Sequence, residues 1–159
     1  MKIKILMVCL GNICRSPMAK AVLIKKLEEK NVNWVEVDSA GTSDYHSGSP
    51  ADKRTLENGF KHGIDLSGHK ARQFNHNDFE KFDSIYVMDH ENLSDVLYHA
   101  RNEDEAMKVK LLLDEISPGA NLSVPDPWFG GEKDFERVFN LLYKACDILS
   151  DKLYLEGRP

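Results

Sequence analysis

The chain has 159 residues, 42% of them hydrophobic and 30% charged, which suits a single globular domain over residues 1–159 and excludes a disordered or fibrous chain. A formal net charge of −5 argues against a nucleic-acid partner, because phosphate backbones demand a cationic face. Three cysteines, an odd number, do not make a disulfide framework and point to a reducing, cytoplasmic compartment; no apolar run approaches a membrane span, so no membrane partner is expected.

The opening lysines of MKIKILMVCLGN imitate a secretory leader, but the apolar run is too short and Arg15 follows soon after. The expectation is a buried first strand over Ile3–Cys9, covered on both faces. Gly11 and Asn12 break that run. Ser16 is expected as N-cap and Pro17 in the first turn of a helix over Met18–Lys30, with Ala19, Leu23 and Leu27 on its inner face. Trp34–Ala40 alternates and predicts a second strand, followed by a loop over Gly41–Pro50. Ala51–Gly63 predicts a helix, Ser67–Phe74 a basic irregular link, and His76–Phe82 a short helix.

Asp83–Asp89 predicts a third buried strand, Glu91–Ala100 a helix and Val109–Glu115 a fourth strand. Ile116–Lys133 carries three prolines and three glycines and reads as a long loop, a length that compact domains reserve for function. Phe135, Phe139, Leu142, Cys146, Leu149 and Leu153 recur at spacings of four and three and predict a final helix, with Cys146 in its core stripe. Strands alternating with helices predict an α/β fold: a four-stranded parallel sheet flanked by helices on both faces. Such sheets bind ligands beyond the carboxyl ends of their strands. Cys9, Ser39, Asp89 and the loop from Asp114 all fall there.

The turn from Cys9 to Ser16 (CLGNICRS) joins a strand to a helix N-terminus. Its inward N–H groups and the helix dipole suit an oxyanion, and Arg15 can grip two phosphate oxygens in a bidentate fork. The same field favours a thiolate at Cys9, and a thiolate aimed at phosphorus is a nucleophile. Ser16 can donate its hydroxyl to that sulfur.

Cys-x5-Arg-Ser directly after the first strand closely resembles the low-molecular-weight protein tyrosine phosphatases. Further matches are DSAGT at Asp38–Thr42, GHKAR at Gly68–Arg72, VMD at Val87–Asp89 and PDP at Pro125–Pro127. The resemblance spans essentially the whole chain. It implies hydrolysis of phosphotyrosine in proteins through a phosphocysteine, without cofactor or metal. Cys9 matches the nucleophile, Arg15 the phosphate clamp and Asp126, between two prolines, the general acid. Leu10, Gly11, Asn12, Ile13, Cys14 and Ser16 match the phosphate-binding loop, and Ser39, His69 and Asp89 match its supports.

Cys14 matches a second cysteine that pairs reversibly with the nucleophile in many relatives. Tyr45, Trp128 and Phe129 match aromatic walls of a substrate slot, with Leu10 and Ile13 adding apolar contact at its mouth. Trp128 and Phe129 stand where many relatives carry tyrosines, so regulation by phosphorylation there is not expected. Four other readings are weighed against this one. Protein arginine phosphatases resemble the chain but carry threonine where Ile13 stands. A thiol-linked arsenate reductase needs further cysteines between Cys14 and Cys146, and there are none. A cysteine phosphocarrier would not want Arg15 and Asp126 to promote hydrolysis. A non-catalytic phosphate-binding module would not need the full set of Cys9, Arg15, Ser16 and Asp126.

Overall fold

The apolar run Ile3–Cys9 forms strand β1, and its pleat sends alternate side chains to opposite faces. Ile5, Met7 and Cys9 enter one core; Leu6 and Val8 enter a second on the other side. In this computed structural model, which describes residues 1–159, β1 is an inner strand. It pairs in parallel with β2 (Val35–Gly41) and β3 (Ser84–Val87), and β4 (Val109–Leu111) completes the order β2-β1-β3-β4.

One face of the sheet carries α1 (Arg15–Glu29) and α6 (Glu132–Glu156). Ala19, Leu23 and Leu27 of α1 join Phe139, Leu142, Cys146 and Leu149 of α6 in one cluster with Ile5 and Met7. Helices α3 (Asp78–Lys81) and α4 (His90–Tyr98) serve the other face, where Phe74, Phe79, Phe82 and Val96 pack on Leu6 and Val8. Each such burial contributes about 1.5–3 kcal/mol, against about 0–1 for an exposed ion pair. The two apolar layers, and not the surface charges, therefore hold the sheet.

The chain departs from the sequence expectation at several element ends. Helix α1 begins at Arg15 with Cys14 as its cap residue and no side-chain cap bond, so Ser16 is not the N-cap; its hydroxyl is turned into the preceding loop. The fourth strand stops at Leu111, and Leu112–Glu115 winds into a 3-10 turn. Its only neighbour, β3, has ended by then: Val87 pairs with Leu111. Burial continues through Leu113, which is why the apolar run reads as a longer strand. Helix α2 (Lys53–Lys61) starts on the Asp52 side chain, which accepts the Arg54 N–H. Helix α5 (Glu103–Met107) was not expected; none of its residues is buried, so it leaves no apolar periodicity.

From β1 the chain crosses first to β2 on one side and later to β3 on the other. The carboxyl end of β1 is therefore the point where successive crossovers part and open a crevice. Cys9 is its last residue.

Candidate active site

Residues Cys9 to Ser16 turn from the end of β1 into α1. Asn12 sits at φ 56°, in the left-handed region that asparagine tolerates better than most residues. Its buried side chain makes three bonds, one within the turn and two to other segments. Nδ2 donates to Ser16 Oγ at 2.8 Å and to Ser39 Oγ at 2.9 Å, and Oδ1 accepts the Arg72 N–H at 3.0 Å. His69 Nε2 lies 2.6 Å from the Asn12 carbonyl oxygen. Gly41, the last residue of β2, makes room for this. A Cβ there would stand 2.7 Å from the Leu10 carbonyl and 3.0 Å from the Asn12 nitrogen.

The Asn12 N–H donates to Cys9 Sγ at 3.3 Å, and Ser16 Oγ lies 3.0 Å from the same sulfur. Ser16 has one proton, and the Ala40 carbonyl at 3.3 Å competes for it; negative charge on sulfur draws it to Cys9. The amides of Gly11, Ile13 and Cys14 meet no acceptor within the protein. Together with the N-terminus of α1 they form a concave set of donors suited to an oxyanion.

Arg15, the first residue of α1, is 2% exposed. Its Nη1 donates to Asp89 Oδ2 at 2.7 Å and to the Val124 carbonyl at 3.0 Å, and its Nη2 lies 3.7 Å from Asp126 Oδ2. Burial alone would depress this guanidinium, but the facing Cys9 sulfur and the carboxylates of Asp89 and Asp126 outweigh it and hold its pKa above the ordinary value. His69 is shifted the other way: burial, aided by nearby Lys20, holds its imidazole below the usual value against the raising effect of the Asn12 carbonyl. A neutral His69 still donates to that carbonyl.

Asp126 projects from the loop between Val124 and Gly131. Its Oδ1 accepts the Trp128 N–H at 3.1 Å, leaving Oδ2 toward Arg15. The loop is attached to the sheet by the Val124 N–H, which donates to the Met88 carbonyl at 2.8 Å. At the mouth, the rings of Tyr45 and His46 meet edge to face at 4.8 Å, and His46 lies 5.7 Å from Trp128.

Most of the expected set is thus brought together: Cys9, Asn12, Arg15, Ser16, Ser39, His69, Asp89 and Asp126. Two placements differ. Ile13 does not face the mouth; it is buried with Cys14, Ala71 and Phe135. Phe129 is 98% exposed and pairs with no other ring, because the turn closed by the Gly130 N–H on the Pro127 carbonyl sends it to solvent. Cys14 is also inward, and burial pushes its thiol up to about 12. The sequence reading gave no role to Arg72, His46 or Arg54. Arg72 bridges Asp38 and the buried Asp78 while its N–H holds Asn12; its signal was the quoted block GHKAR beside DSAGT. His46 and Arg54 carry no local motif, since their contacts lie across the fold.

A sulfur at a strand end, a ring of free amides and a buried arginine define a phosphate-handling site on an α/β sheet. The family model for low molecular weight phosphotyrosine protein phosphatase matches residues 4–158, and the chain belongs to that family. It is 42% identical over 153 residues to the human low molecular weight phosphotyrosine protein phosphatase, covering 94% of this chain and 95% of that one. It is 40% identical over 163 residues to the low molecular weight protein-tyrosine-phosphatase of Streptomyces coelicolor, covering 99% of each. Among solved structures, a protein tyrosine phosphatase from Entamoeba histolytica superposes with a TM-score of 0.91 at 38% identity, over 98% of this chain and 99% of that one. An arginine phosphatase of Bacillus subtilis superposes at 0.85 with 26% identity, over 98% and 99%. The protein is accordingly a protein-tyrosine phosphatase, a hydrolase.

Proposed function

We propose that the protein hydrolyses phosphotyrosine in proteins, and simple aryl phosphates, through a phosphocysteine on Cys9. The observation that carries this reading is the convergence of three groups on one concavity: Cys9 Sγ with its donors Asn12 and Ser16, the Arg15 guanidinium, and Asp126 at 3.7 Å from that guanidinium. The Cys9 thiolate attacks phosphorus while the bond from phosphorus to the phenolic oxygen breaks. Arg15 and the loop amides hold the equatorial oxygens, and Asp126 gives its proton to the departing oxygen. Water then attacks the phosphocysteine and Asp126 takes its proton. The S–P bond breaks, releasing inorganic phosphate and restoring the thiolate, which Ser16 stabilises.

Tyr45 and Trp128 flank the mouth, and a phenyl ring stacks well between such walls. Cys14 is the candidate redox partner: a peroxide oxidises the Cys9 thiolate to a sulfenic acid and is itself reduced, and the Cys14 sulfur then attacks Cys9 Sγ, its proton leaving with the sulfenic hydroxyl as water as the disulfide forms. Three unpaired thiols suit a reducing cytoplasm.

The test is metal-free hydrolysis of p-nitrophenyl phosphate and a phosphotyrosine peptide by the wild type and by Cys9→Ser. Turnover abolished by the substitution and inhibited by vanadate is the expected result. An inactive wild type under reducing conditions overturns the reading, and a preference for phosphoarginine reassigns the substrate.

A further inference from the structure

The loop that carries Asp126 has no ladder of its own, so something must set its distance from the phosphate loop. At its front, Val124 is tied to Met88 and to Arg15. At its rear, a side chain from α2 takes over. Arg54 Nη1 donates to the Trp128 carbonyl at 2.8 Å and to the Gly130 carbonyl at 3.3 Å. Its guanidinium lies 5.4 Å from the Trp128 ring centre and 4.6 Å from that of Phe135. The other edge of the same guanidinium meets Asp52 as a fork: Nε to Oδ1 and Nη2 to Oδ2, both at 3.1 Å.

Asp52 in turn donates its backbone N–H to the Ile13 carbonyl at 2.9 Å. A continuous chain of bonds therefore runs from the phosphate loop through Asp52 and Arg54 to both sides of the turn that follows Asp126. We propose that Arg54 is a positioning residue for Asp126, a strut that sets the spacing between the acid-bearing loop and the phosphate loop. This inference rests on Asp126 being the general acid. Arg54 does not reach the anion site, and its acceptors in the loop are main-chain oxygens, so it acts through placement and not by touching substrate. Lysine could not replace it, because only the planar fork meets a carboxylate and two carbonyls at once.

The consequence is a split by leaving group. Misplacing a proton donor by a fraction of an ångström costs most where the departing oxygen most needs the proton. Arg54→Met keeps the aliphatic stem and removes the fork; Arg54→Lys keeps the charge. Both are compared with wild type for kcat/KM on phenyl phosphate and on p-nitrophenyl phosphate, with vanadate affinity and iodoacetate alkylation of Cys9 as reports on the phosphate loop. The expected result for Arg54→Met is a fall of roughly 10- to 100-fold on phenyl phosphate, at least fivefold larger than on p-nitrophenyl phosphate. Vanadate affinity and alkylation should stay within about twofold of wild type, and Arg54→Lys should fall between. Equal losses on both esters, or lost vanadate affinity in both variants, overturn the inference while leaving the phosphatase reading intact. A wild type that hydrolyses neither ester overturns the phosphatase reading and this inference with it.

Discussion

Asp89 serves two masters: one carboxylate oxygen accepts Arg15 Nη1 at 2.7 Å, and the other accepts the Asn92 N–H at 2.8 Å, capping α4. The guanidinium proposed to clamp phosphate and the start of a helix thus share a side chain. Asp89→Ala loses the cap, at about 1 kcal/mol, and leaves a buried guanidinium short of its partner, for a total loss of about 2–4 kcal/mol. Asp89→Asn keeps a capping oxygen, so it should be the more stable of the two in urea unfolding while still losing vanadate affinity. Equal stability of both variants would refute the shared role.

Asn12 combines a left-handed backbone with three buried side-chain bonds. Each buried group left unpaired costs about 1–3 kcal/mol, and a Cβ at positive φ adds strain that glycine lacks. Asn12→Ala should therefore be less stable than Asn12→Gly by about 1 kcal/mol, and both should lose most activity. Urea midpoints and p-nitrophenyl phosphate turnover, measured on the same preparations, decide this; alanine matching glycine in stability would show that the backbone carries no strain.

Cys14 with a pKa pushed up to about 12 is a neutral thiol across the physiological range, and only the thiolate alkylates readily. Brief iodoacetate treatment at pH 7, followed by peptide mass mapping, should mark Cys9 and leave Cys14 free. Comparable labelling of the two contradicts the burial argument.

His69 supplies the pH dependence. Its folded pKa lies below the ordinary 6.5, so the unfolded chain takes up the proton more readily and stability rises with pH. The contribution is present above about 6.5 and is lost as pH falls from there through the depressed folded value. Replacement by glutamine, whose amide can donate to the Asn12 carbonyl without titrating, should flatten the fall in melting temperature between pH 7 and pH 5. An unchanged slope assigns that limb to other groups.

The inner strands were legible because they are buried on both faces: Ile3–Cys9 announces itself as a near-continuous apolar run, and the observed strand has those same ends. The candidate site was legible wherever chemistry and turn coincide, as at Cys9, Arg15 and Asp126. What escaped lies in contacts made between segments far apart in the chain. Arg54 reaches Trp128 and Gly130 across 74 and 76 positions, and no local pattern encodes that. Ile13 and Phe129 were misplaced for a related reason: a side chain on an irregular turn has no period to reveal its direction. Helix α5 escaped because it buries nothing.

Cys9 lies near the beginning of the chain, yet its surroundings come from Ser39, Gly41, His69, Arg72, Asp89 and Val124. A growing polypeptide therefore presents this cysteine to the cell long before the groups that shape its turn have been made. Until about four-fifths of the chain has been translated, the thiol is an ordinary one on a floppy tether, with no anchored arginine and no ring of amides. The last of these ties, from Arg15 to the Val124 carbonyl, can form only when that late segment has been made, so the surroundings of the first strand's end are completed from the far end of the chain.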